Sequence, residues 1–315
     1  MSKLGVAVIG TGFWGVNHAR TYSNLESTEL VAICDIDSQR AETVASQFGV
    51  KAYTDSKKML QDKEIEAVSI CTWATILSNE ANKALKAGRH VLVEKPMAAN
   101  SQQAEELVQT AKDQGLHLTV GFLSRFLPGL QSIRKALETK QIGELVCATS
   151  KRVSQWPVRI GDAGVLKDTA IHDIDVMRYL TGENPLSVYA RIGSKRRVEF
   201  EDHVQIMLTF EDDKTTFIES NWLTPNKTRI LTVTGSQAIM KLDYMTQQLT
   251  IENNEEINQP RSAVQEPLKL ELQHFADCIS KGNKPQVVGV DGVRALQIIE
   301  AVVESSTKNK VIELG

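Results

Sequence analysis

The sequence predicts an α/β protein in two parts. A doubly wound parallel sheet of the Rossmann type comes first, and an α+β part with a large, mostly antiparallel sheet follows. Three observations predict this. Apolar runs alternate with helix-like segments through residues 1–122, the first run is followed by G-x-G-x-x-G, and the runs after residue 186 succeed one another without helices between them. The expected division is a dinucleotide-binding domain over 1–122 and a substrate-binding and oligomerisation domain over 123–315, with the boundary near 121–128.

Val6-Ala7-Val8-Ile9 is continuously apolar and largely β-branched, as a strand buried on both faces should be. Gly10, Thr11, Gly12, Phe13, Trp14 and Gly15 follow, then a helix-like segment over 17–25. In this spacing Gly10 allows the tight turn, Gly12 lets the backbone approach a pyrophosphate, and Gly15 lets the helix pack close to the strand. A second run over 30–34 ends in Asp35, an acid placed to accept the adenosine ribose hydroxyls and to disfavour a 2′-phosphate; Arg40 stands nearby. NAD is therefore the expected cofactor.

Helices over 38–48, 56–60, 77–86 and 101–114 alternate with strands at 51–53, 67–71, 90–94 and 116–121. Gly49, Gly88 and Gly115 sit where three of the helices should stop. Ligands of such sheets bind beyond the carboxyl ends of the strands, where Thr11, Asp35, Thr72 and Lys95 fall. The second part reads as a helix over 132–139, a strand over 145–153, a helix over 168–180, and strands over 186–192, 204–210, 215–222, 229–234 and 238–243. A loop-like stretch over 252–264 and helices over 268–280 and 292–306 close the chain.

At 315 residues the chain accommodates two domains, and 42% hydrophobic with 24% charged residues is ordinary for a globular protein. A net charge of −3 gives no general attraction to nucleic acid or anionic membrane. Four scattered cysteines without a C-x-x-C pair argue against structural zinc and disulfides, so no metal is expected. With no signal peptide or membrane-spanning run to read, the cytoplasm is the expected location. Apolar strands such as 204–208, with few helices to cover both sheet faces, predict a homodimer or homotetramer through the C-terminal sheet.

Two groups of residues carry candidate chemistry. Glu94-Lys95-Pro96 ends a strand, and Pro96 halts the ladder so that the Lys95 side chain leaves the sheet on the ligand side. A nicotinamide cation nearby would favour the neutral amine, which suits a proton acceptor. In D-T-A-I-H-D-I-D, the spacing of Asp168, His172 and Asp175 puts them on one helical face, with Asp173 facing away. His172 is then either a core histidine satisfied by carboxylates or a working base, and a divalent-metal reading has no second histidine motif behind it. Arg152, Trp156 and Arg159, expected in the loop before that helix, offer cations and an aromatic face to a sugar phosphate.

G-T-G-F-W-G, V-L-V-E-K-P-M-A, the G-F-L-S-R-F segment containing Arg125, and G-V-L-K-D-T-A-I-H-D-I-D-V-M-R-Y-L-T-G together resemble the Gfo/Idh/MocA oxidoreductases over essentially the whole chain. The resemblance implies NAD(P)-dependent oxidation or reduction of sugars or cyclitols. It implies Lys95 as catalytic lysine, Asp168 and His172 as the substrate-side pair, and Asp175 and Arg125 as further substrate-side residues. The family's Pro-Asn after the fourth strand is replaced by Thr72-Trp73, which changes the loop that meets nicotinamide and substrate. R-V-S-Q-W-P-V-R-I-G-D-A-G-V is similar to the branch that acts on nucleotide sugars, implying oxidation at C3 of a UDP-N-acetylhexosamine, as in UDP-N-acetylglucosamine 3-dehydrogenases. The alternatives are a free sugar or inositol dehydrogenase, an NAD-dependent glycosidase, and a dinucleotide-sensing regulator without catalysis. The joint presence of Lys95, Asp168 and His172 favours an enzyme.

Overall fold

The computed structural model describes residues 3–157, 162–196, 199–260 and 264–315. It divides into two compact units: residues up to Leu123 with Glu266–Val293, and Ser124–Gln265 with Arg294–Gly315.

The first unit holds β1 (Leu4–Ile9), α1 (Phe13–Asn24), β2 (Thr28–Cys34), α2 (Ser38–Phe48), β3 (Lys51–Tyr53), α3 (Ser56–Met59), β4 (Ala67–Ile70), α4 (Leu77–Lys86), β5 (His90–Val93), α5 (Ser101–Asp113) and β6 (Leu118–Val120). All its strand pairs are parallel, in the order β3-β2-β1-β4-β5-β6, so the order reverses between β1 and β4. Ligands of open α/β sheets bind at such a reversal. Every residue of β1 and β4 is buried, as their unbroken apolar runs require. Asp37, Asp55 and Asn100 cap α2, α3 and α5 by accepting backbone N–H groups of Arg40, Lys57 and Gln103.

Residues 266–293 were expected in the second domain, yet they belong to the first unit. Leu268, Leu272, Phe275 and Ala276 of α8 (Pro267–Lys281) form one face at helical spacing, buried in a single cluster with Ala19 and Tyr22 of α1. Burying a side chain such as Phe275 stabilises by about 1.5–3 kcal/mol. The chain thus returns late to pack against α1. Sequence order gave no sign of that return.

In the second unit, α6 (Pro128–Glu138) precedes β7 (Leu145–Gln155), a π-helical turn at Leu166–Ala170 leads into α7 (Ile171–Thr181), and β8 (Ser187–Gly193) to β14 (Ile257–Asn258) follow. These strands are β9 (His203–Thr209), β10 (Thr215–Asn221), β11 (Leu223–Gly235), β12 (Ile239–Asp243) and β13 (Leu249–Glu252). With β15 (Ile312–Glu313), they make a nine-stranded sheet in the order β14-β13-β12-β11-β7-β10-β9-β8-β15, parallel only at β7–β10. Helix α9 (Gly289–Lys308) precedes β15. The sequence reading missed β13 to β15, which are short or polar, and started α1 and α6 one turn late. α1 begins at Phe13 because the glycine turn feeds straight into it, and α6 at Pro128 because proline suits a first helical position. One sheet face is left open: Phe217, Met207, Tyr189, Ile230 and Thr232 line a shallow depression there, and Phe217 is 44% exposed.

Candidate active site

The glycine turn has the geometry its spacing implies. Gly10 adopts φ +88°, and a Cβ there would lie 2.8 Å from the Cys71 carbonyl. A Cβ on Gly15 would lie 1.7 Å from the Gly10 carbonyl oxygen, so only glycine lets α1 start this close to β1. A Cβ on Gly12 would meet nothing within 4 Å. The space a phosphate needs is therefore open just where the first backbone N–H groups of α1 emerge. Phe13 is exposed at 66% and Trp14 is half-buried against it, edge to face at 5.6 Å.

Asp35, at the end of β2, is 7% exposed and folds back on this turn. Its Oδ2 accepts the Thr11 N–H and hydroxyl, both at 2.8 Å, and its Oδ1 accepts the Asp37 N–H at 3.0 Å. Burial alone would raise its pKa; these hydrogen bonds and the Arg40 guanidinium at 3.5 Å outweigh that and hold the carboxyl below its ordinary value. The site therefore presents a fixed anion beside the turn. Ile36, directly after it, is 87% exposed, a feature sequence reasoning passed over. Thr72 is half-buried and Trp73 is 56% exposed beyond β4, on the same edge of the sheet.

Glu94 and Lys95 follow β5, and their roles separate. The Glu94 carboxylate is buried: Oε1 pairs with Nε2 of the fully buried His18 at 3.1 Å, and Oε2 accepts the Lys95 backbone N–H at 3.2 Å. A Cβ on Gly121 would come within 3.0 Å of it. Glu94 therefore holds backbone in place instead of offering its carboxylate to a ligand, while the Lys95 side chain stands half-buried at the strand end. A polar histidine on the buried face of α1 was the only sequence signal for His18.

In the second unit the four titratable residues of D-T-A-I-H-D-I-D divide into two pairs. Asp168, in the π-helical turn, and His172, in the first turn of α7, are half-buried. Asp173 and Asp175 are fully buried and bound by arginines. Asp173, expected to face away, pairs bidentately with Arg152 at 2.9 and 3.0 Å. Asp175 pairs bidentately with Arg125 at 2.8 and 2.5 Å, and Arg125 also stacks over the Tyr179 ring. The single helical face drawn through Asp168, His172 and Asp175 is thus corrected: arginines from outside α7 draw the aspartates into the core.

Arg152 needs the same correction. It lies in β7, not in a loop, at 6% exposure, and its guanidinium also sits over the Tyr244 ring at 5.0 Å. Burial disfavours its charge, but Asp173 more than compensates and the guanidinium stays cationic. Arg152, one of the two cations expected for a sugar phosphate, is therefore neutralised inside the unit, as is Arg125, expected on the substrate side. Arg159 lies outside the described residues. Trp156, half-buried, meets Trp222 edge to face at 4.9 Å. Among the described residues no group of three His, Cys, Asp or Glu is placed to hold a metal ion, and no helix is long and apolar enough to cross a membrane.

The comparisons with known proteins agree with this geometry. Residues 4–122 match the oxidoreductase family domain described as an NAD-binding Rossmann fold, and residues 130–241 match the Gfo/Idh/MocA C-terminal domain. The chain is 25% identical over 336 residues to a D-apiose dehydrogenase of Paraburkholderia graminis, covering 98% of this chain and 89% of that protein. It is 27% identical over 328 residues to the NAD(+)-dependent scyllo-inositol 2-dehydrogenase of Bacillus subtilis, covering 98% and 95%. The solved UDP-N-acetylglucosamine 3-dehydrogenase GnnA of Acidithiobacillus ferrooxidans superposes with a TM-score of 0.89 at 25% identity, over 97% of this chain and 98% of that one. The chain belongs to the Gfo/Idh/MocA family and is an NAD-dependent dehydrogenase acting on CH–OH groups of sugars or polyols.

Proposed function

We propose that this dehydrogenase oxidises a secondary hydroxyl of an uncharged sugar or cyclitol. The observation that carries the reading is the neutralisation of Arg152 by the buried Asp173, which withdraws one of the two arginines, Arg152 and Arg159, offered to a diphosphate. The D-apiose and inositol dehydrogenases among its relatives support the same class. A second reading, oxidation at C3 of UDP-N-acetylglucosamine, is favoured by the likeness to GnnA and by Trp156 as an aromatic face. NADH formation at 340 nm with D-apiose, scyllo-inositol, myo-inositol and UDP-N-acetylglucosamine decides between them. Turnover of UDP-N-acetylglucosamine alone would replace the first reading with the second.

In this proposal Gly10, Thr11, Gly12, Phe13, Trp14 and Gly15 receive the pyrophosphate of NAD. Asp35, screened by Arg40, takes the adenosine ribose, and Thr72, Trp73 and Lys95 serve the nicotinamide end, with Glu94 holding the Lys95 backbone. NAD, when bound, supplies the acceptor for the hydrogen removed from carbon. The residues of the chain manage the proton: Lys95, or His172 assisted by Lys95 and Asp168, takes it from the hydroxyl. Asp175, held by Arg125, shapes the helix that carries His172.

The open face of the second unit's sheet, lined by Phe217 and Met207 among others, suits a second copy of the chain. A dimer or tetramer by light scattering at micromolar concentration is the expected result, and a Phe217→Glu monomer would locate the interface.

A further inference from the structure

A hydrogen-bond relay leads from the core of the second unit to Asp168. The indole Nε1–H of Trp222 donates to Thr169 Oγ1 at 3.0 Å, and the Thr169 hydroxyl donates to Asp168 Oδ2 at 3.2 Å. Polarity fixes the direction. An indole N–H can only donate, a carboxylate can only accept, and a hydroxyl has one proton to give. With the Thr169 oxygen already accepting from Trp222, its proton points at Asp168.

Both inner members of the relay are anchored. Trp222 is 2% exposed, its backbone N–H donates to the Asp202 carbonyl at 2.9 Å, and its ring is braced by Trp156. Thr169 is 8% exposed in the π-helical turn. Glu201 pins the start of that turn: its carbonyl accepts the Val165 N–H at 3.0 Å and its Oε1 accepts the Leu166 N–H at 3.1 Å. A Cβ on Gly164 would lie 2.1 Å from the Glu201 carboxyl carbon, so glycine is needed for this cap to close. Single π-helical turns are frequent at functional sites.

We propose that Thr169 and Trp222 are positioning residues that orient the carboxylate of Asp168 for the reaction. The inference rests on the reading of Asp168 given under Proposed function. Neither residue touches the reacting atoms. Their effect is to hold Oδ2 of that carboxylate in one place.

The test uses the full chain labelled at its indole nitrogens, with Trp222→Phe identifying the Trp222 resonance. In the wild type that resonance moves with pH as Asp168 titrates, because the hydroxyl between them transmits the charge. Asp168→Asn and Thr169→Val both abolish the movement. Thr169→Val, which keeps the shape and removes the hydroxyl, lowers kcat about tenfold on the sugar selected at 340 nm and leaves KM near its wild-type value. Thr169→Ser restores both the titration and most of the turnover. A Trp222 resonance indifferent to Asp168 overturns the relay. If Asp168→Asn is inactive while Thr169→Val turns over normally, the positioning role fails alone. If Asp168→Asn retains full turnover, the reading of Asp168 fails and the inference fails with it.

Discussion

The glycine turn of the first unit and helix α7 of the second are both short sequence motifs, but one is written in backbone and the other in side chains. In the turn, spacing translates directly: Gly10 needs its left-handed φ and Gly15 its missing Cβ, whatever surrounds them. In α7, regular spacing suggests one functional face, and the molecule sorts the acids by partner instead. Asp173 and Asp175 meet Arg152 and Arg125 and become core; Asp168 and His172 stay half-buried. Backbone motifs are self-contained, whereas the meaning of a charged side chain depends on residues far away in sequence.

The largest effect that sharpens this contrast is expected at the buried pairs. Arg152→Met leaves Asp173 charged and unpaired, and should cost about 3–5 kcal/mol by denaturant unfolding. Gly15→Ala comes next: with backbone 1.7 Å from the new Cβ, it should cost about 3 kcal/mol, the top of the usual range for overpacking. Gly12→Ala is the counterpart, and its expected signature is opposite. Stability should change by no more than about 0.5 kcal/mol. NADH affinity by fluorescence titration should fall about tenfold or more, because the methyl group occupies the open space. A Gly12→Ala protein that binds NADH normally would break the account of the turn.

The smallest effect concerns acid. His90 and His117 stack at the amino ends of β5 and β6, and His90 Nδ1 accepts the His117 backbone N–H at 3.0 Å. His274 Nε2 similarly accepts the Gln286 N–H at 2.9 Å. Burial lowers the pKa of all three, with the neighbouring ring adding to it at His90 and Glu66 opposing it. The unfolded chain then binds protons first, near pH 6.5, so stability should decline as pH falls from about 7 through 6.5 toward the depressed folded values. His90→Gln, which keeps an acceptor without a titrating ring, should flatten that decline in thermal melts.

Much of the first unit was legible in sequence because parallel strands buried on both faces read as unbroken apolar runs, and β1, β2, β4 and β5 fell where expected. The return of α8 was not legible: its apolar face at Leu268, Leu272 and Phe275 announces a helix but not its partner. Asp35, Lys95, Asp168 and His172 could be named from motif and position. The partners that define their surroundings, such as His18 for Glu94 and Trp222 for Thr169, lie 76 and 53 residues away, and no local pattern connects them.

The most direct test of the division within α7 is His172→Ala, with kcat, NADH affinity and melting temperature measured on one preparation. A working base predicts kcat lower by roughly 10²-fold, with NADH affinity and melting temperature close to wild type. Asp173→Asn in parallel should show the reverse, a lower melting temperature with turnover of the surviving fold largely kept. A His172→Ala protein that is unstable yet fully active would contradict the account, and His172 would join Asp173 and Asp175 as core.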